Sequence, residues 1–127
     1  MMRTRIETVR THRDARGSLF EPLDDAELAS QRNVHVVLTA PGEIRGNHVH
    51  ETATEVTTVV GPCLVRLKDE GDVQDVEVPA GETWKFTIPP GVVHAYLNTG
   101  DGVMVLVSFS SAVHDPAGGG TRREAIL

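Results

Sequence analysis

The sequence predicts an all-β fold, and three features carry the prediction. The 127 residues include 18 valines and 12 threonines, whose stiff, branched side chains suit a pleated strand. Twelve glycines and seven prolines punctuate the chain every few residues, which keeps strands short and turns frequent. Between these breaks apolar and polar residues alternate, as in Val73–Val78 and Glu82–Ile88, the period of a half-buried strand. At ~100–200 residues per domain the length supports a single domain, large enough to bury a core without covalent staples. About ten short strands in one small domain imply a sandwich or barrel of antiparallel sheets.

The elements follow in order. Residues 1–32 form an N-terminal part: a strand at Ile6–Thr11, a polar turn at His12–Arg16, a strand at Gly17–Glu21 stopped by Pro22, and one short helix at Asp24–Ser30. Two aspartates at the start of that helix suit the positive end of its dipole. Residues 33–110 form the core of the domain. Its strands are Asn33–Thr39, Arg45–His50, Glu55–Val60, Cys63–Lys68, Val73–Val78, Glu82–Ile88, Val93–Leu97 and Val103–Ser110, separated by Pro41-Gly42, Gly61-Pro62, an acidic turn, Pro79 and Pro89-Pro90-Gly91. Residues 111–127, with Gly118-Gly119-Gly120, read as a loose tail.

Charge and composition exclude several classes of function. Eighteen acidic against twelve basic residues leave a net charge of −6, the wrong sign for nonspecific nucleic-acid binding. No run of ~20 apolar residues is present to span a membrane. The first fourteen residues contain no apolar run, so no secretory leader is expected. The single cysteine, Cys63, excludes a disulfide scaffold, reads as packing and points to a cytoplasmic location.

The chemistry concentrates in four residues. His48 and His50 are two apart on one strand, so both imidazoles face the same side. Glu55 follows at the start of the next strand, and His94 stands just after Pro89-Pro90-Gly91. Imidazoles with a carboxylate suit a borderline-to-hard divalent metal. Taken singly, each is equally a surface polar or structural residue.

Their spacing closely resembles the paired motifs of the cupin superfamily, G-x5-H-x-H-x(3,4)-E-x6-G and G-x5-P-x-G-x2-H-x3-N. Gly42, His48, His50 and Glu55 match the first, with Gly61 one residue early; Pro89-Pro90-Gly91, His94 and Asn98 match the second, with Gly81 displaced. The resemblance implies a single-domain antiparallel jelly-roll barrel with one short helix at most. It also implies that His48, His50, Glu55 and His94 ligate one divalent metal ion, zinc first, with iron, manganese or nickel as alternatives. Asp14-Ala15-Arg16-Gly17-Ser18-Leu19-Phe20-Glu21 and Arg45-Gly46-Asn47-His48-Val49-His50 narrow the likeness. They resemble the C-terminal cupin domain of capsular-polysaccharide sugar epimerases of the CapF type and, more distantly, dTDP-keto-sugar epimerases and isomerases. No attached reductase domain is expected, so any reduction would fall to another protein.

That resemblance implies a nucleotide sugar as small-molecule substrate, and proton removal alpha to a ketone. Tyr96, two residues after His94 and on the same face, is the candidate acid, or else packs in the barrel. His35 is the candidate base if its strand turns it inward. Arg45 and Lys85 are candidates for the diphosphate, or else surface charges. Asn47 and Arg16, from the two resembling segments, complete the candidate substrate-binding residues, although Asp14 and Arg16 could form only a turn pair. A metal-free variant would use His48 or His50 as the base. An iron-dependent dioxygenase shares the same ligand set, and a non-catalytic small-molecule-binding cupin is the third alternative. Relatives of this kind are commonly homodimers, and the Ile6–Thr11 strand is a candidate to cross to a partner sheet.

Overall fold

The computed structural model describes residues 1–127. Twelve strands and one helix follow in order: β1 (Arg5–Thr8), β2 (Thr11–Asp14), β3 (Gly17–Phe20), α1 (Asp25–Ala29), β4 (Asn33–Thr39), β5 (Ile44–His50), β6 (Glu55–Val60), β7 (Cys63–Asp69), β8 (Asp72–Val78), β9 (Thr83–Ile88), β10 (Val92–Asn98), β11 (Met104–Ser110) and β12 (Thr121–Arg123). Two five-stranded sheets, in the orders β1-β9-β6-β11-β4 and β12-β5-β10-β7-β8, form a jelly roll, and β2 and β3 make a separate hairpin. Every pairing is antiparallel. The all-β expectation holds, with a single five-residue helix. No helix is long and apolar enough to cross a membrane.

The period of two explains where the core sits. Along β7 the side chains of Cys63, Val65 and Leu67 turn inward while Leu64, Arg66 and Lys68 are only half-buried. The inward set meets Phe86 and Ile88 from β9 and Leu106 from β11 in one apolar cluster. Strands β6 and β10 lie inside their sheets and are buried at nearly every position. These two interior strands carry Glu55 and His94, so the rigid part of the fold supports half of the candidate ligands.

Three expectations for the chain's ends need correction. His12–Arg16 is not merely a turn: Thr11–Asp14 pairs with Gly17–Phe20, and only residues between them turn. Both strands are largely exposed, so no apolar alternation marks them. The strand read at Ile6–Thr11 is β1, ending at Thr8, and it pairs with β9 of its own chain. The tail is not loose throughout, because Thr121–Arg123 adds to the edge of β5.

The helix is fixed by local chemistry. Asp24 accepts from the Glu27 amide, and the Glu27 side chain accepts from the Asp24 amide, a reciprocal capping box. Glu27 also receives Lys85 Nζ at 2.8 Å, which ties the helix to β9.

Candidate metal centre

The four candidate ligands converge at one end of the apolar core. His48 and His50 come from β5, Glu55 from β6 and His94 from β10, and one ligand atom from each lies within 4.8 Å of all the others. The ring centroids of His48 and His94 are 4.7 Å apart, and those of His48 and His50 are 4.9 Å apart. His94 and Glu55 are buried, while His48 and His50 are half-buried.

Ring orientation shows what this cluster is built for. His94 Nδ1 lies 3.1 Å from the carbonyl oxygen of Val92. A carbonyl only accepts, so Nδ1 carries the proton and Nε2 presents a bare lone pair. That Nε2 is buried and has no hydrogen-bond partner, and His50 Nε2 is in the same state. Glu55 oxygens approach them at 3.4 and 2.7 Å, but neither pair meets hydrogen-bond geometry. Orphaned buried acceptors are costly. Two lone pairs and a carboxylate pointing at one spot are instead the donor set of a divalent cation, so the residues fit the metal implied by the resemblance. These four side chains could hold a metal ion.

Protonation agrees with that role. Burial, with His94 beside it, pushes His48 down to about 4, so its ring is neutral at pH 7. Burial alone would raise the Glu55 carboxyl, but His50 and His94, when either ring carries its second proton, outweigh it and hold Glu55 well below the usual carboxylate range. Thr57 Oγ1 donates to Glu55 Oε1 at 3.1 Å and contacts Ser108 Oγ at 3.0 Å, which fixes the carboxylate's orientation.

A cavity of about 280 Å³ opens beside the cluster, lined by His35, Val37, Arg45, His48, Glu55 and Tyr96 among others. Strict alternation would put Arg45, three residues before His48, on the opposite face of β5. A bulge changes this. Gly46 and Asn47 both have positive φ, +91° and +57°, and the register against β10 slips between His94 and Ala95. Arg45 therefore stands opposite Tyr96 and joins the inner face. Gly46 is required there, because a Cβ would lie 2.7 Å from the His94 carbonyl oxygen.

Tyr96 is almost wholly buried, and its hydroxyl has no hydrogen-bond partner. Burial, reinforced by the negative charge of Glu55, raises its pKa well above the usual range and keeps the phenol protonated. His35 lines this cavity and also a second one, of about 300 Å³, that reaches His50 and Glu55 from the side of residues 112–121. Its Nδ1 faces Asn33 Oδ1 at 3.4 Å.

The other candidates stand elsewhere. Lys85 is held by Glu27 of α1, on the face of β9 opposite Phe86. Arg16 pairs with Asp14 at the tip of the β2–β3 hairpin, away from the cluster. Asn47, one residue before His48, faces away from the histidines, and its amide is engaged by the last residues: Oδ1 accepts from Ile126 N at 2.8 Å and Leu127 N at 3.1 Å. Thr121 was not legible as a site residue, yet its Oγ1 lies 3.1 Å from His50 Nδ1. Its only signal is its register opposite His50.

Comparison with known proteins follows the same lines. The chain is similar to the capsular polysaccharide assembling protein CapF from Staphylococcus aureus, with 26% identity and a TM-score of 0.69, over 93% of this chain and 33% of that one. It thus spans about a third of that relative's length. It is also similar in fold to a double mutant of the QdtA 3,4-ketoisomerase from Thermoanaerobacterium thermosaccharolyticum in complex with TDP, at 20% identity and a TM-score of 0.76, over 98% and 90% of the two chains. The rmlC epimerase of Mycobacterium tuberculosis gives 20% identity and 0.72, over 94% and 68%. No curated protein matches the sequence. A family model, the polysaccharide biosynthesis C-terminal domain, matches residues 12–121. With nearly the whole chain inside that match, the protein belongs to the polysaccharide biosynthesis C-terminal domain family.

Proposed function

We propose that the protein is a sugar-nucleotide epimerase or isomerase, acting on a nucleotide-linked 4-keto sugar by proton abstraction alpha to the ketone, in polysaccharide or deoxysugar biosynthesis. The observation that carries this reading is the convergence of four ligand groups beside a cavity lined by two of them, His48 and Glu55, and by a buried, unpartnered phenol. The family supports the pathway class, and the names of the structural relatives, a 3,4-ketoisomerase and an epimerase, support the reaction class.

His48, His50, Glu55 and His94 would hold one divalent ion, zinc first. Bound there, it would supply a Lewis acid that polarises the ketone and stabilises enolate charge. The remaining work falls to this chain's side chains. His35 Nε2 takes the proton from the carbon, since Asn33 Oδ1 occupies Nδ1. The Tyr96 hydroxyl, which lines the cavity, delivers a proton to the opposite face or to the neighbouring carbon. Arg45, which unlike Lys85 and Arg16 is in no ion pair, grips the diphosphate through paired hydrogen bonds.

The test is solvent exchange. Incubated in deuterium oxide with nucleotide-linked 4-keto sugars, the metal-loaded protein incorporates deuterium next to the ketone. Oxygen consumption with Fe(II) and no deuterium would replace this reading with a dioxygenase. Saturable binding without exchange would replace it with a binding module.

The reading extends to assembly and location. The protein forms a homodimer through the outer face of β4, where Val34, Val36 and Leu38 are 55%, 61% and 61% exposed on an edge strand. Such a row invites pairing unless a partner covers it. A cytoplasmic location is supported by the lone Cys63, which is free and buried.

A further inference from the structure

We infer that the segment Thr121–Leu127 is part of the metal centre, with Thr121 as the positioning residue for His50. This rests on the reading that the cluster holds a divalent ion, and it assigns a role to residues outside the ligand set.

His50 is a ligand that burial alone does not hold. It lies at the end of β5, and its side chain is 18% exposed, against 6% for Glu55 and none for His94. For Nε2 to present a lone pair, the neutral ring must carry its proton on Nδ1. Thr121 Oγ1, 3.1 Å away, can accept that proton, and the contact holds the ring's rotation. In that role it does for His50 what the Val92 carbonyl does for His94.

Strand β12 cannot hold this position by burial, since all three of its residues are exposed. It is strapped down by polar contacts instead. Asn47 accepts through Oδ1 from the Ile126 and Leu127 amides, donates through Nδ2 to the Leu127 carbonyl, and accepts through its backbone oxygen from Glu124 N. Lys68 pairs with Glu124 at 2.7 Å, and Arg66 donates to the Ile126 carbonyl at 3.0 Å. Asn47 lies within the same bulge that turns Arg45 into the cavity.

The test compares wild type, Thr121→Val, Thr121→Ser and Asn47→Gly, the last keeping the left-handed backbone while removing the clasp. Affinity for Zn²⁺ is read by chelator competition, geometry by the Co²⁺ ligand-field spectrum, and folding by melting of the apoprotein. Thr121→Val is expected to bind ~10- to 100-fold more weakly, with an altered Co²⁺ spectrum and unchanged melting. Thr121→Ser is expected to restore wild-type binding, and Asn47→Gly to weaken it in the same direction as Thr121→Val. Wild-type affinity and spectrum in Thr121→Val would overturn the inference. Wild-type affinity in Asn47→Gly would overturn the assignment of the strap. Failure of the wild-type protein to bind either ion would instead overturn the metal reading on which the inference rests.

Discussion

The His94 imidazole donates through Nδ1 to the Val92 carbonyl, two residues earlier on the same strand, at 3.1 Å. That contact leaves the opposite nitrogen bare, buried and aimed at His50, Glu55 and His48. In the absence of a cation this arrangement would cost stability, because a buried acceptor lacks a partner. The four side chains could therefore hold a positive ligand, and the roles proposed for their neighbours follow from it.

Tyr96→Phe is expected to lower kcat by ~10²–10⁴, the usual contribution of a positioned acid, with KM little changed. The hydroxyl has no partner in the folded protein, so its removal leaves no group unsatisfied and melting should not fall. Steady-state kinetics with a thermal melt check both. Unchanged kcat would remove Tyr96 from the mechanism.

Gly46→Ala is expected to damage fold and site together. The new Cβ would meet the His94 carbonyl oxygen at 2.7 Å and the Ala95 Cα at 3.0 Å, on a backbone with φ of +91°. Strain of this kind costs about 1–3 kcal/mol, and any relief moves His94. Denaturant unfolding and Zn²⁺ affinity should both worsen; a variant with wild-type values would contradict the bulge's role.

The Arg3–Asp69 pair sets an acid limit on stability. Asp69 is buried and accepts from Arg3 N at 2.8 Å and Nε at 3.0 Å. The Arg3 guanidinium holds its carboxyl below the usual 3.8. The unfolded chain therefore binds this proton first, and the pair's contribution is complete above pH 3.8 and lost as pH falls through the folded value. Asp69→Asn should be less stable than wild type at pH 7, and the gap should close as pH drops below about 4. Melting curves that stay parallel across that range would exclude the pair as the source.

Val36→Lys is expected to give a monomer. Wild type should scatter as twice the 13.7 kDa chain, and the variant as one chain. A monomeric wild type would contradict self-association, and a dimeric Val36→Lys would move the interface away from β4.

The strands of the core were legible because their physics is local. Asn33–Thr39 and Glu55–Val60 are bounded as the β-branched runs and breakers imply. The juxtaposition of His48 and His50 follows from strand period, and spacing alone pointed to Glu55 and His94. What sequence could not show depends on departures from that period or on distant partners. Arg45 reaches the cavity only through the bulge at Gly46–Asn47. Lys85 alternates with Trp84 and Phe86, which gives that strand one apolar and one polar face, but only the fold reveals Glu27 as its partner. Thr11–Asp14 is polar on both faces, so its pairing leaves no apolar signature. Thr121 and Asn47 are linked to their partners across 71 to 80 residues, beyond any local pattern.

The most direct measurement is a stoichiometric Zn²⁺ titration of wild type and His50→Ala apoprotein, each shown to be folded by melting. The account predicts one tightly bound ion per wild-type chain, and neither tight binding nor epimerase activity in His50→Ala. A wild type that takes up no ion, or a metal-free His50→Ala protein with full activity, would contradict it.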